Sequence, residues 1–369
     1  MFTKTRMVLR GAFPFAMAVL AAAGLAGCDA IRGMTGSSGL AQYRPALLFS
    51  LPEACNTPDG ATLDDKTGMI YLSCPNVNDP NHPGIMMQIS PDYRMTALCA
   101  LPLSPKTKRV HPMGLDIGPD GNLYVADNQY FNDPNYCSRV LRINMTDGKA
   151  TGVDVVVEGT KLSNAVIWRG DRMYVSDTFF DLKGEYGAGG IWCFTLDELN
   201  KGTVRVGPGD KDPHVMVKIN AIEGRGSGNA GPDGLTFDED GNLYSGNFGD
   251  GVMYKIAFNA NRSMKSCDVF LKDPSMTSCD GIFYRAADKK IYIADSQKNS
   301  VKRVSLTGKL ENLWENGDCT GAGSELDQPC EVIVRGNDLI VVDFDMPFPG
   351  LRNTKYDKPH TIHLIKLEK

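Results

Sequence analysis

Six copies of one short pattern run along this chain, and they constrain its fold more than any other feature. In each copy a short apolar strand, opening on a small, polar or acidic residue in all but the second, is followed by a turn and a second strand that carries Tyr or an aliphatic residue ahead of small and polar ones. The copies begin at Asp59-Gly60-Ala61-Thr62-Leu63, Met113-Gly114-Leu115-Asp116-Ile117 and Asn164-Ala165-Val166-Ile167-Trp168. They continue at Asp233-Gly234-Leu235-Thr236-Phe237, Asp280-Gly281-Ile282-Phe283-Tyr284 and Cys330-Glu331-Val332-Ile333-Val334. The second-strand anchors Tyr71, Tyr124, Tyr174, Tyr244, Tyr292 and Ile340 lie 53, 50, 70, 48 and 48 residues apart. Such spacing suits four strands per copy, with one insertion in the third. A fixed period of this length signals radially repeated sheets, and strand groups bounded by Gly and Asp turns favour a propeller over a sandwich. Helical periodicity is nearly absent, apart from one turn expected at 195–200. The expected fold is therefore all-β, a six-bladed β-propeller.

The two ends predict how the ring closes. Pro45-Ala46-Leu47-Leu48-Phe49 precedes Asp59 much as Val269-Phe270-Leu271 precedes Asp280, so it reads as an outer strand. After its long loop the last copy has only 360–367 left. One strand from each end would complete that blade and remove exposed sheet edges.

Ahead of the repeats lies a segment with a different logic. Lys4, Arg6 and Arg10 form a cationic head, an apolar run follows from Ala12 to Leu25, and Leu25-Ala26-Gly27-Cys28 ends it. This is the order of a secretory signal, and its apolar part is shorter than the roughly 20 residues of a spanning helix. The last four residues resemble a bacterial lipobox. Residues 1–27 are accordingly expected to be a lipoprotein signal peptide, with Cys28 lipidated and 28–39, rich in Gly and Ser, a flexible tether. Residues 40–369 would then form one propeller domain, a monomer in the cell envelope that faces the periplasm and touches the membrane through its lipid. The formal charge is -5, or -8 once the three N-terminal cations are set aside. With no basic patch, nucleic acid is not an expected partner. Of ten cysteines, nine remain beside Cys28. In an oxidising compartment Cys319 with Cys330, and Cys267 with Cys279, are candidate loop-closing pairs, and an odd thiol is left over, with Cys193 a candidate.

In a propeller the residue opening each inner strand points toward the common axis. Here those residues are Asp59, Met113, Asn164, Asp233, Asp280 and Cys330, with Glu331 beside the last. Carboxylates gathered at one point repel or take up protons unless something compensates them. A hard cation does so, and calcium accepts a mixed carboxylate and amide set. The alternative is that these acids cap backbone N–H groups, as Pro119-Asp120-Gly121 does between two strands of one blade.

At these residues the chain resembles the regucalcin, gluconolactonase and luciferin-regenerating superfamily, related to strictosidine-synthase-like and paraoxonase propellers. Ser163-Asn164, Pro232-Asp233-Gly234-Leu235 and Ser278-Cys279-Asp280-Gly281 carry the resemblance, which extends over nearly all the chain from about Pro45. It implies a calcium ion, or another divalent cation, held by Asp59, Asn164 and Asp233. In this chain the first of these is Asp where the family mostly has Glu. At the second blade His111-Pro112-Met113 stands where the family commonly offers Asn or His to substrate.

Three long loops would flank the same face, at 128–136, 178–190 and 344–359. They carry Tyr130, Phe131, Tyr136, Phe179, Phe180, Tyr186, Phe344, Phe348 and Tyr356. Aromatic walls around a polar centre suit a small, partly apolar ligand. No Gly-x-Ser-x-Gly elbow, phosphate loop or His-Glu-x-x-His is present. The expected activity is calcium-dependent hydrolysis of lactones or related esters, with Asp233 or Asp280 activating water and His111, Met113 and Glu331 near the substrate. The alternative is a non-enzymatic propeller that binds a small molecule or partner protein in the periplasm.

Overall fold

A computed structural model describes residues 38–180, 188–208, 211–221 and 230–368. The expected signal segment, Cys28 and Tyr186 lie outside them. The described chain forms six sheets of four or five strands, antiparallel except for one short edge strand. Numbered along the chain, blades 1 to 6 open with inner strands Ala61–Leu63, Pro112–Ile117, Ser163–Arg169, Pro232–Phe237, Ile282–Arg285 and Pro329–Arg335. Their second strands are Ile70–Cys74, Leu123–Asp127, Arg172–Asp177, Leu243–Asn247, Lys290–Asp295 and Asp338–Asp343. The fold is a six-bladed β-propeller, as the repeat predicts.

Closure joins the two ends of the chain. Ala46–Ser50 pairs antiparallel with Thr361–Lys366 as the outer strand of blade 6, with Ala46 opposite Leu364. Two details depart from the sequence reading. Ser38–Gly39, at the end of the supposed tether, adds a short strand to the edge of blade 5 opposite Glu315 and Trp314. The insertion in the third copy holds a helix, Leu196–Lys201, and a strand, Val204–Arg205, that runs parallel to the edge of blade 2. The helix starts where Thr195 and Glu198 form a reciprocal capping box, which satisfies two orphan N–H groups at once.

Between blades the packing is apolar. Val166, Val175 and Trp192 of blade 3 share one buried cluster with Tyr124 and Val140 of blade 2. Val332 and Val341 of blade 6 share another with Tyr292 and Val301 of blade 5.

Near the axis the inner strands come together backbone to backbone, and this explains the recurring glycine. A Cβ on Gly60 would lie 2.5 Å from the Gly114 Cα, and one on Gly114 would lie 2.7 Å from the Ala165 Cα. One on Gly234 would lie 2.1 Å from the Asp280 carbonyl oxygen, and one on Gly281 2.6 Å from that of Cys330. The glycine is there for inter-blade contact rather than for a turn.

The expected disulfides do not form. All nine cysteines from Cys55 to Cys330 are free thiols. Cys330 sits at the axis and donates to the Pro58 carbonyl at 3.3 Å, whereas Cys319 lies in a loop and donates to Leu326 at 3.2 Å. Cys267 lies on the outer strand Met264–Leu271 of blade 4, and Cys279 is buried where blade 5 opens against Gly246. Closeness in sequence did not become closeness in space, because each pair is divided between an outer and an inner position.

Candidate functional site at the propeller axis

In blades 2, 3, 4 and 6 the pairing of the inner strand with its second strand is irregular where the opening residues stand. Register shifts fall between Pro112 and Leu115, Ser163 and Val166, Pro232 and Leu235, and Pro329 and Glu331. An extra residue in one strand re-aims the side chains beside it. Second-strand serines satisfy the freed N–H groups in two blades. Ser73 Oγ accepts from Gly60 at 2.9 Å, and Ser176 Oγ accepts from Ala165 at 2.8 Å. The Tyr-x-Ser element in the repeat is the sequence trace of this support.

Four carboxyl groups gather at the ring. Burial pushes Asp59 up from 3.8 to about 7. Asp233 is raised well above the ordinary carboxylate range, first by burial and then by the charges of Asp59 and Glu331. Asp280 is raised by burial and then by Asp233 and Asp59. Glu331 is raised by burial, against an N–H bond from Val332 at 2.9 Å, with Asp59 and Asp280 adding to the rise. Blades 1 and 4 are opposite in a six-membered ring. The charge of Asp59 is thus felt at Asp233 across the ring, from the opposite blade. Asp59, Asn164, Asp280 and Glu331 are hemmed in by protein yet keep some surface open, as expected of groups lining a narrow channel.

The four differ in how well they are satisfied. Ser296 Oγ lies 2.5 Å from Asp280 Oδ2, and Glu331 also takes the N–H of Ala61. No hydrogen bond from a described residue reaches the side chains of Asp59, Asp233 or Asn164. Buried carboxylates with no donor are costly, so these oxygens are free to meet a cation. Among the described residues no three His, Cys, Asp or Glu side chains are arranged to hold a metal by themselves. The set that remains is two carboxylates and an amide, all oxygen donors, which fits a hard divalent ion and not a soft one.

His111 and Met113 do not reach this centre as free groups. His111 Nδ1 donates to the Pro75 carbonyl at 2.9 Å, and Nε2 accepts from the Asn132 amide at 2.8 Å. With both nitrogens engaged and burial holding its pKa below the ordinary value, His111 supports the loop after the second strand of blade 2. Met113 is only 4% exposed and belongs to the apolar cluster of blades 2 and 3.

The sequence reading missed a second device, a buried clasp at the acid that ends the second strand in four blades. Asp127, Asp177, Asp295 and Asp343 all accept backbone N–H groups from the segment leading into their own inner strand. The donors are His111, Lys161 with Leu162, Thr277 with Ser278, and Asp327. A third-strand side chain then answers each acid. Arg139 Nε lies 2.7 Å from Asp127, Trp192 Nε1 3.0 Å from Asp177, Lys302 Nζ 2.7 Å from Asp295, and His363 Nδ1 2.6 Å from Asp343. The recurring Tyr-x-x-Asp carried the signal, but its partner on the neighbouring strand is invisible to a local pattern. These clasps hold the entry to each inner strand and so set where its opening residue points.

Comparison with known proteins bears on this architecture. The family profile of the SMP-30/gluconolactonase/LRE-like region matches residues 81–279. The chain belongs to this family. No curated protein matches it in sequence. Among solved structures, a gluconolactonase from Xanthomonas campestris superposes with a TM-score of 0.56 at 11% identity, over 92% of this chain and 99% of that one. A luciferin-regenerating enzyme gives 0.55 at 12% identity, over 90% and 97%. A calcium-binding regucalcin from Agrobacterium tumefaciens gives 0.54 at 14%, over 88% and 96%. At these identities the superpositions show a shared fold, so within this gluconolactonase-like family the chemistry rests on the residues at the axis.

Proposed function

We propose that this protein hydrolyses lactones or related esters with the help of a divalent cation, calcium by preference, at the propeller axis. One observation carries the reading: Asp59 and Asp233 open the inner strands of opposite blades, and among the described residues neither carboxyl has a hydrogen-bond donor and the Asn164 amide has no partner. The names of the solved relatives, a gluconolactonase and a calcium-binding protein, support the same direction. Asp59, Asn164 and Asp233 would hold the ion. Bound there, it would supply Lewis-acid polarisation of the substrate carbonyl and stabilise the charge that develops on its oxygen. Asp280 is the candidate general base. It lies beside the three ligands and has Ser296 to orient it. Burial and neighbouring charge raise its proton affinity, as a base working near neutral pH requires. Glu331, tied to two N–H groups, would shape the channel wall.

The same reading places the domain in the cell envelope, tethered by lipid on Cys28. The cationic head, apolar run and Leu25-Ala26-Gly27-Cys28 support it. Labelling with a radioactive fatty acid should mark the parent and not Cys28→Ala.

Hydrolysis of simple lactones and aryl esters, followed with and without a chelator, tests the activity. The expected result is loss of turnover on chelation, recovery with calcium, and a loss of at least about a hundredfold in Asp233→Ala. Turnover indifferent to both would overturn the mechanism, and binding without turnover would favour the non-enzymatic alternative.

A further inference from the structure

Five aromatic rings from three blades touch in one continuous chain on the face where the acids open. Phe179, after the second strand of blade 3, stacks on Tyr130 of blade 2 with centroids 5.2 Å apart. Tyr130 meets Phe131 edge-on at 6.5 Å. Phe131 stacks on Phe348 of blade 6 at 6.4 Å with the rings 16° apart, and Phe348 stacks on Phe344 at 6.4 Å. Blades 2 and 6 are not neighbours, because blade 1 stands between them. The gap between alternate blades narrows toward the axis, so loops that meet across blade 1 must lean inward over its inner end, where Asp59 opens. The rings therefore arch over one side of the channel mouth.

Packing of the loops does not require this arch. Polar contacts already pin the blade 2 loop, through Asn132 on His111 and Gln129 on Asp127. They pin the blade 6 loop as well, through Asn353 on Asp345 and Arg352 on Glu315. Phe131 remains 41% exposed, and Tyr130, Phe179 and Phe348 are only partly buried. Ring faces left open to water beside a polar centre gain from covering by an apolar group. They offer a polyhydroxylated substrate almost no hydrogen-bond partners for the water it would lose.

We propose that this arch selects the substrate: the site takes a lactone or ester bearing an alkyl or aryl substituent of about six carbons or more, in preference to a sugar lactone. The inference rests on the hydrolase reading of the axial ring, and its test separates the two. Turnover of γ-lactones with side chains of increasing length is compared with that of glucono-1,5-lactone, in the parent and in Phe131→Ser with Phe348→Ser, calcium present. Each added methylene should raise kcat/KM of the parent by roughly fourfold until the arch is covered, and the double variant should flatten that rise. A parent that turns over the sugar lactone as well as the longest alkyl lactone overturns the selection but leaves the hydrolase reading in place. Should nothing be turned over, binding of the matching alkyl lactam by calorimetry decides the question. Binding at least tenfold tighter to the parent than to Phe131→Ser supports the arch, and equal binding overturns it. Thermal melts verify that the variants are folded, and the exposed Phe131 provides the single substitution least able to disturb the fold.

Discussion

His363→Gln should separate the clasp of the closing blade from those of blades 2 and 5. In blade 2 the buried acid meets Arg139 and in blade 5 it meets Lys302. In blade 6 it meets His363, and both side chains of that pair are fully buried. Asp343 also accepts the Thr361 hydroxyl at 3.0 Å, and His363 Nε2 faces the Gly323 carbonyl at 3.3 Å. Burial pulls the His363 pKa down. The charge and hydrogen bond of Asp343, with carbonyls at Gly323 and Gly321, pull harder, and the result lies above the ordinary 6.5. A folded-state histidine pKa above its unfolded value means that the folded state binds the proton more tightly. The stabilisation is complete below about pH 6.5 and is lost as pH rises through the folded value.

Removing one partner of a buried pair costs about 3 to 5 kcal/mol, and glutamine keeps a donor for Asp343, so about 3 is expected. At about 2 °C per kcal/mol for a chain of this length, His363→Gln should melt about 6 °C below the parent at pH 6. Toward pH 8.5 the gap should narrow, since the parent is then losing the same proton. Melts should stop there, because burial and the charges of Asp345 and Asp343 hold the neighbouring Asp327 carboxyl at about 9. Lys302→Gln, which breaks the corresponding buried pair of blade 5, should melt lower than the parent by a similar amount at pH 6. A His363→Gln gap as wide at pH 8.5 as at pH 6 would refute the reasoning.

Four further outcomes follow, three of them from the ring. Calcium at a hundred times its dissociation constant should stabilise the parent by about 2.7 kcal/mol, about 5 °C in a melt, and Asp233→Asn should abolish this rise. The same variant should melt no lower than the cation-free parent, because it removes an unpaired carboxyl; a clear drop would mean that the acid is structural. Gly234→Ala should prevent folding or lower the melting temperature by more than about 10 °C, since its Cβ would meet backbone at 2.1 Å and backbone cannot step aside. Gly323→Ala, with open space around it, should change stability by less than about 0.5 kcal/mol.

The blade count, the closing strand and the ring positions were legible because each is written locally and repeated. Once the period is recognised, the residue that opens one copy marks its counterpart in every other, so Asp59, Asn164 and Asp233 could be named without coordinates. What was not legible depends on separation in space. Cys319 and Cys330 looked like a pair because few residues divide them, yet the sheet puts one in a loop and the other at the axis. His111 looked available because its partners, Pro75 and Asn132, lie in other segments. The role of the glycines was not legible because the inner strand they touch belongs to the next blade.

Periodicity along the chain is a near-neighbour property, set by strand length, turn chemistry and the alternation of side chains, and it sufficed for the architecture. Whether an aspartate is satisfied or left bare is a many-body property. Asp127, Asp295 and Asp233 are the same residue type, each placed at the end of a strand. Arg139 and Lys302 neutralise the first two from the neighbouring strand of their own blade. Asp233 points to the axis, where its neighbours are other acids. Only the assembled ring made that distinction, because the field at a buried carboxylate is the sum over every charge and dipole within a few ångströms of it.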